Sequence, residues 1–159
     1  RADHLIDTSQ LKAAELKQRL SEGLTGRPLH ESLTVEVVSF GFKYGVPMDV
    51  DIMFDVRFLP NPFYIDELKP LTGNDQPVYQ WVLDWPQTQL FLDQFYPLFT
   101  SLIPAYGREG KARLSVAVGC TGGQHRSVSI ANRLGELLAE EGIPAHVRHR
   151  DVELAERAS

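Results

Sequence analysis

The sequence predicts an α/β fold in which helices flank a mainly parallel sheet. Apolar, β-branched runs alternate along the chain with stretches whose apolar residues recur at helical spacing. A glycine-rich turn joins one of these apolar runs directly to a helical pattern. Because parallel strands need crossover connections and helices between strands supply them, the alternation favours a parallel sheet.

The 159-residue chain has the size of one domain with a short appendage. Its content of 43% hydrophobic and 23% charged residues is typical of a soluble globular protein. No apolar run approaches the roughly 20 residues that span a bilayer, so no membrane association is expected. A single cysteine and the lack of a signal peptide indicate the cytoplasm.

Two units are predicted along the chain, and the first is only the end of a domain. Residues 1–22 contain a strand-like run and a helical pattern over Gln10–Ser21, and the chain opens without methionine, as a fragment would. Residues 23–32 form the predicted linker, since Gly23–Pro28 is rich in glycine and ends on proline. Residues 33–159 are expected to form the main α/β domain.

The elements of the main domain follow from apolar patterning and from chain-breaking residues. Four strands are predicted, over Leu33–Phe40, Ile52–Phe58, Arg113–Val118 and Ala145–Arg150. Three helices are predicted, over Val78–Leu83, Gln87–Pro104 and Val128–Glu141. Pro97 is expected to bend the second helix, and Gly142 is expected to end the third.

The turn Gly119–Ser127 is the strongest candidate for a functional site. It follows the apolar run Leu114–Val118 and precedes the helix predicted from Val128. The N–H groups of such a turn and the dipole of the following helix favour negative charge, and Arg126 and His125 add side-chain donors. The sequence therefore predicts a phosphate-binding strand, turn and helix.

Polar side chains from two other strand ends are expected to join this turn. Lys43 follows the first predicted strand, and Asp55 and Arg57 lie near the end of the second. Ligands of open α/β sheets gather at the carboxyl ends of the strands. We therefore expect Lys43, Arg57 and Arg126 to converge on one anion.

The candidate anion-binding residues are Lys43, Asp55, Arg57, Cys120, Thr121, Gly122, Gly123, His125, Arg126 and Ser127. Other interpretations stay open for some of them. Asp55 and Arg57 can form a structural ion pair, and Cys120 can be a small buried apolar residue. No metal site is predicted, because the chain has one cysteine and no HExxH pattern.

A catalytic alternative rests on the spacing between Cys120 and Arg126, which matches the phosphate loop of cysteine phosphatases. In that chemistry the Cys120 thiolate would attack phosphorus, Arg126 would hold the phosphoryl oxygens and Asp55 would be the general acid. Gly119 stands where those enzymes have His, so Cys120 is equally a ligand contact. The preferred prediction assigns no catalytic residue. A third interpretation is an oligomerisation domain that binds only adventitious anions.

The charge distribution leaves room for a polyanionic partner. Net charge is −5, yet four basic residues and no acid occur between Lys111 and Arg133. More basic residues follow in the last predicted strand: His146, Arg148, His149 and Arg150. These residues form either a basic face or an ordinary solvated surface.

Several long segments, in this order, resemble the C-terminal domain of the RapZ/YvcJ family. They are Ser39–Gly45, Phe54–Pro62, Leu71–Gly73, Gly119–Ser127 and His149–Asp151. The resemblance covers residues 33–151, and residues 1–22 resemble the tail of the family's N-terminal nucleotide-binding domain. The Walker A loop of that domain would lie upstream, because no GxxxxGK[ST] occurs here.

The resemblance implies a two-domain P-loop protein that acts as an RNase adapter. It implies that the C-terminal domain binds a small RNA and senses glucosamine-6-phosphate or another phosphate-bearing ligand. ATP or GTP would be bound and hydrolysed by the upstream domain, with no cofactor in this chain, and the protein would form homo-oligomers. The positions matched to the ligand site are Lys43, Asp55, Arg57, Cys120, Thr121, Gly122, His125 and Arg126.

Two departures from the family pattern bear on these expectations. Phe63 stands where the family often has His after Pro-Asn-Pro, so one sugar-phosphate contact is expected to be absent. RNA-adapting members end in a basic tail, whereas residues 151–157 here are mainly acidic and apolar. Such a tail would not neutralise RNA phosphates, so the phosphate site is better supported than the adapter role.

Overall fold

The computed structural model describes residues 33–154. The strand and helix predicted within residues 1–22 and the linker at 23–32 lie outside the described residues. Within them, no helix combines the length and the apolar character that crossing a membrane requires.

A four-stranded sheet forms the centre of the fold. Its strands are β1 (Thr34–Gly41), β2 (Ile52–Asp55), β3 (Arg113–Cys120) and β4 (Ala145–His149). They lie in the order β2-β3-β1-β4, and every neighbouring pair is parallel. The central strands β1 and β3 are buried along almost their whole length, as continuous apolar runs in parallel sheets are. The predicted α/β fold with a parallel sheet is confirmed.

Within residues 33–154, three complete α-helices flank the sheet: α1 (Gln76–Leu83), α2 (Pro86–Arg108) and α3 (Arg126–Glu140). Helix α3 contacts β1, β3 and β4 through residues that have no solvent exposure, among them Ile130, Leu134 and Leu138. Two short 3-10 helices, Phe42–Tyr44 and Pro62–Tyr64, follow β1 and β2. Both lie at the carboxyl ends of the strands, where the candidate residues were predicted to meet.

Two elements end three residues or more from their predicted ends, each for a local reason, whereas the other bounds differ by at most two residues. Strand β2 ends at Asp55 rather than Phe58, because the Asp55 carboxylate accepts the Arg57 N–H (2.9 Å) and turns the chain. Helix α2 continues through Pro97 to Arg108, beyond the predicted end at Pro104. Its aromatic rings stack along the buried side, with Phe95 5.3 Å from Phe91 and 5.6 Å from Phe99 between centroids. This packing holds the helix on the core across Pro97.

Candidate anion-binding site

The predicted strand, turn and helix are present, but the helix starts earlier than expected. Strand β3 ends at Cys120, the turn runs from Thr121 to His125, and α3 begins at Arg126 instead of Val128. Arg126 and Ser127 therefore belong to the first helical turn. The His125 side chain does not cap this helix, so it accepts no hydrogen bond from the N–H groups of the first turn. These N–H groups lie at the positive end of the helix dipole.

Close backbone contact fixes the turn against the end of β1. A Cβ atom added to Gly41 would lie 2.5 Å from the Gly122 carbonyl carbon, and one added to Gly123 would lie 2.6 Å from the Gly41 nitrogen. Gly123 also has a φ of +71°, which glycine adopts readily. The Lys43 N–H donates to the Thr121 carbonyl (3.2 Å) and the Gly41 N–H donates to the Asp151 carboxylate (2.8 Å). The end of β1 is thus locked to the turn that follows β3 and to the segment that follows β4.

Hydrogen bonds attach the other side of the turn to residues 69–73. Gln124 Nε2 donates to the carbonyls of Lys69 (3.0 Å) and Leu71 (2.7 Å), and the Gly73 N–H donates to the Gln124 carbonyl (2.9 Å). His125 Nε2 lies 3.1 Å from the Lys69 carbonyl, which can only accept, so this nitrogen carries the proton. The turn is a rigid platform between two segments.

Arg126 is 5% exposed and holds the loop after β2 in place. Its Nη1 donates to the carbonyls of Arg57 (2.8 Å) and Leu59 (3.1 Å), and its Nη2 lies 3.5 Å from Thr121 Oγ1. Its buried Nε has no hydrogen-bond partner among the described residues. A buried guanidinium with donors still unused is unusual in a folded protein, and ligand sites are one place where it occurs.

A cleft of about 640 Å³ opens over the turn. It is lined by Lys43, Asn61, Phe63, Tyr64, Lys69, Cys120, Thr121, Gly122, Gln124, His125 and Arg126. Three of these side chains are cations, and none of the described lining residues is Asp or Glu. The volume and the charge suit a small organic anion.

Most of the predicted residues lie at this cleft. Its lining contains Lys43, Cys120, Thr121, Gly122, His125 and Arg126, while Gly123 and Ser127 are buried behind it. Asp55 and Arg57 do not line it, because they bind each other: Arg57 Nη2 lies 2.6 Å from Asp55 Oδ2. The Arg57 guanidinium also lies 4.0 Å from the centroid of the Phe42 ring. The geometry therefore favours the structural ion pair that the sequence left open.

Sequence reasoning missed several lining residues, notably Asn61, Tyr64, Lys69 and Gln124. Asn61 and Tyr64 belong to the segment around Pro62, where Phe63 had been noted only as a departure. Lys69 follows no strand and belongs to no motif, so nothing in the sequence pointed to it. Its position depends on the bonds between its carbonyl and the turn.

The features that phosphatase chemistry needs are poorly placed. Cys120 is 3% exposed, and its Sγ lies 3.1 Å from Ser127 Oγ. The hydrogen bonds from Arg57 hold the pKa of the Asp55 carboxyl below its usual range, so Asp55 is ionised near neutral pH and has no proton to give. Within residues 33–154, no three His, Cys, Asp or Glu side chains are grouped as a metal site requires.

A second, partly buried histidine, His149, joins β4 to the end of β1 and to α3. Asn132 Oδ1 lies 3.0 Å from His149 Nε2 and Ser39 Oγ lies 2.7 Å from Nδ1. Since Oδ1 only accepts, Nε2 carries the proton and Nδ1 accepts from the hydroxyl, which satisfies a neutral ring. Burial lowers the pKa of both His149 and His125.

These two histidines should make the fold less stable in mild acid. Below about pH 6.5 the unfolded chain binds protons on both rings, whereas the folded chain resists them until lower pH. We expect the free energy of unfolding, measured by urea denaturation, to fall between pH 7 and pH 5. His149→Gln should start from a lower value at pH 7 and decline less steeply. An equally steep decline would mean that His149 does not titrate in this way.

Comparisons with known proteins identify the family of this chain. The family model described as the RapZ C-terminal domain matches residues 33–153. A nucleotide-binding protein of Staphylococcus epidermidis is 51% identical over 154 residues, which are 96% of this chain and 51% of that protein. A nucleotide-binding protein of Caldicellulosiruptor saccharolyticus is 50% identical over 152 residues, 96% of this chain and 52% of its own length. The chain spans about half the length of these relatives. The residues that match the family model include the sheet, the turn and the cleft, and the chain therefore belongs to the RapZ C-terminal domain family.

Proposed function

We propose that this domain binds a small phosphorylated metabolite, a phosphosugar of the size of glucosamine-6-phosphate, and acts as a sensor. The observation that carries the proposal is the cleft over the turn Thr121–His125. There the N-terminus of α3, the side chain of Lys43 and the unpartnered Nε of the buried Arg126 occur together. Each of these groups favours a phosphate, and the cleft has room for the sugar.

The pairing of surface charges supports a small ligand over RNA. Four of the six lysine and arginine residues that the sequence offered as a basic face are paired with an acid. The pairs are Lys111–Asp51, Arg133–Glu136, Arg148–Glu36 and Arg150–Asp151, with N···O distances of 2.7, 3.2, 3.6 and 2.7 Å. RNA binding depends on unpaired cations that displace counterions. The described surface offers few of them outside the cleft.

A sensor is also favoured over an enzyme in this part of the chain. A cysteine phosphatase needs an accessible thiolate and a protonated acid. Here the thiol is buried, and the Arg57 guanidinium keeps Asp55 ionised. The relatives are called nucleotide-binding proteins and are about twice as long. We therefore propose that ATP or GTP is bound by the half of such a protein that this chain does not span.

A side chain at Gly122 should test the ligand site directly. Gly122 is a cleft residue without positive φ, and a Cβ atom there meets only Lys43 Cε, at 4.0 Å. Gly122→Val should therefore fold normally and fill the space that a phosphate needs against the turn. Isothermal titration calorimetry with glucose-6-phosphate should show an affinity loss of about tenfold or more, the equivalent of one charge-assisted hydrogen bond.

Two controls make this measurement specific. Gly122→Ala adds only one methyl group and should weaken binding less than Gly122→Val does. Unphosphorylated glucose should not bind either protein. If glucose-6-phosphate binds Gly122→Val as tightly as it binds the unchanged chain, then the turn is not the phosphate site.

A further inference from the structure

The short segment that carries Lys43 into the cleft is held at both ends by one ion pair. At the end of the segment, Arg150 Nη2 donates to the Gly45 carbonyl (2.5 Å). At its start, the Gly41 N–H donates to Asp151 Oδ2 (2.8 Å), and the Arg150 guanidinium binds the same carboxylate. Arg150 and Asp151 thus form a clamp on this segment, although neither residue lines the cleft.

The clamp itself is fixed at the end of β4. Asp151 is 2% exposed, and its Oδ1 and Oδ2 accept from Arg150 Nε (2.8 Å) and Nη2 (2.7 Å). The Arg150 N–H donates to the Ser39 carbonyl (3.0 Å), and the guanidinium lies 5.6 Å from the centroid of the Phe40 ring. A guanidinium presents its donors in a rigid planar fork, which here reaches a carboxylate and a carbonyl together. The clamp therefore leaves the segment little freedom at either end.

Lys43 lies between the two clamped residues and close to the turn. Its N–H donates to the Thr121 carbonyl (3.2 Å), and its Cε lies 4.0 Å from the position that a Cβ atom of Gly122 would take. Its Nζ lies 5.1 Å from the centroid of the Tyr44 ring, a contact that leaves the positive charge intact. A shift at either end of the segment would move this ammonium group relative to the turn.

We infer that Arg150 and Asp151 are positioning residues of the anion site, because the clamp holds the Lys43 ammonium group at the turn Thr121–His125. The inference rests on the proposed function and adds to its site two residues that do not touch the ligand. A buried ion pair contributes little net stability, since desolvation offsets its attraction, so stability alone does not explain a pair at this place. Fixing a binding group in advance lowers the entropy that binding costs.

Two variants loosen the clamp without changing the net charge of the chain. Arg150→Lys keeps the charge that compensates Asp151 but loses the planar fork. The double variant Arg150→Met with Asp151→Asn leaves no buried charge unpaired, and the new amide oxygen can still accept from the Gly41 N–H. Isothermal titration calorimetry with glucosamine-6-phosphate should show about fivefold weaker binding for each, the size of one lost hydrogen bond.

A double-mutant cycle with Lys43 separates positioning from general damage to the fold. If the clamp acts through Lys43, it has nothing to position once that side chain is removed. Arg150→Lys should then weaken binding by about twofold or less when it is made in Lys43→Met, instead of the fivefold expected in the unchanged chain. A full fivefold loss in both backgrounds would attribute the effect to the fold as a whole and overturn the inference.

Another ion pair between β1 and β4 provides the matched control. Glu36→Gln with Arg148→Met removes a pair (N···O 3.6 Å) that joins the same two strands outside the cleft, again without a change of net charge. This variant should bind glucosamine-6-phosphate as tightly as the unchanged chain does. An equal loss in this control, or full affinity in both clamp variants, would overturn the role of the clamp.

The outcomes also separate this inference from the proposed function. If the unchanged chain binds glucosamine-6-phosphate but the clamp variants fail as described, the clamp is wrong and phosphosugar binding stays in place. If the unchanged chain binds neither glucosamine-6-phosphate nor glucose-6-phosphate, both the sensor function and the role of the clamp are wrong.

Discussion

Replacing Gly123 with alanine should lower the free energy of unfolding by about 3 kcal/mol. Two costs combine at this position. The φ of +71° places an L-residue in the left-handed region, and the new Cβ atom would lie 2.6 Å from the Gly41 nitrogen. Neither backbone can move aside easily, because hydrogen bonds from Lys43 to Thr121 and from Gly41 to Asp151 hold both segments.

The neighbouring glycine provides the matched control. Gly122→Ala adds the same methyl group one residue earlier in the turn, with normal φ and open space around it. Its free energy of unfolding should stay within about 0.5 kcal/mol of the unchanged chain, as is usual for substitutions away from packed or strained positions. Urea denaturation of the three proteins measures the difference. Similar losses at both glycines would mean that the turn tolerates side chains and is not locked against β1.

The fold could be predicted because its signals are local. Each central strand is an apolar run, and the turn after β3 is a continuous segment with glycine at the positions that need it. The predicted end of β2 at Phe58 was wrong, because apolar residues alternate with charged ones as far as Phe58 and this alternation is typical of a strand. The side chain of Asp55 ends the strand by accepting the N–H two residues later. Patterning alone does not reveal that bond.

The site could be predicted only where it follows a strand end. The carboxyl ends of parallel strands meet at one edge, which is why the sequence brought Lys43, Thr121 and Arg126 together, and all three line the cleft. That they bind an anion there stays a prediction. The same rule predicted that Arg57 lies at the cleft. Arg57 does not line it, because its guanidinium is bound to Asp55 and packed on the Phe42 ring. Lys69 obeys no such rule, since tertiary hydrogen bonds alone bring it to the cleft. Pairing between side chains determines which charges remain for a ligand.

Substitution of Arg126 should lower both the free energy of unfolding and the affinity for a sugar phosphate, a combination that we expect from no other cation of the cleft. Arg126→Met keeps most of the side-chain volume but leaves the carbonyls of Arg57 and Leu59 without their donor. Buried acceptors without partners cost about 1–3 kcal/mol each, so we expect the free energy of unfolding to fall by about 3 kcal/mol. Binding of glucose-6-phosphate should fall with it, because the guanidinium is the most buried cation of the site.

Lys43→Met provides the comparison, since the exposed side chain of Lys43 forms no hydrogen bond within the described residues. This variant should bind the sugar phosphate more weakly while its urea denaturation curve stays within about 0.5 kcal/mol of the unchanged chain. Arg126→Lys adds a third measurement, because lysine keeps the charge but not the planar fork that reaches two carbonyls at once. It should be destabilised nearly as much as Arg126→Met. Full stability in Arg126→Lys would mean that charge alone holds the loop after β2, and the two bonds to that loop would then not explain why an arginine begins α3.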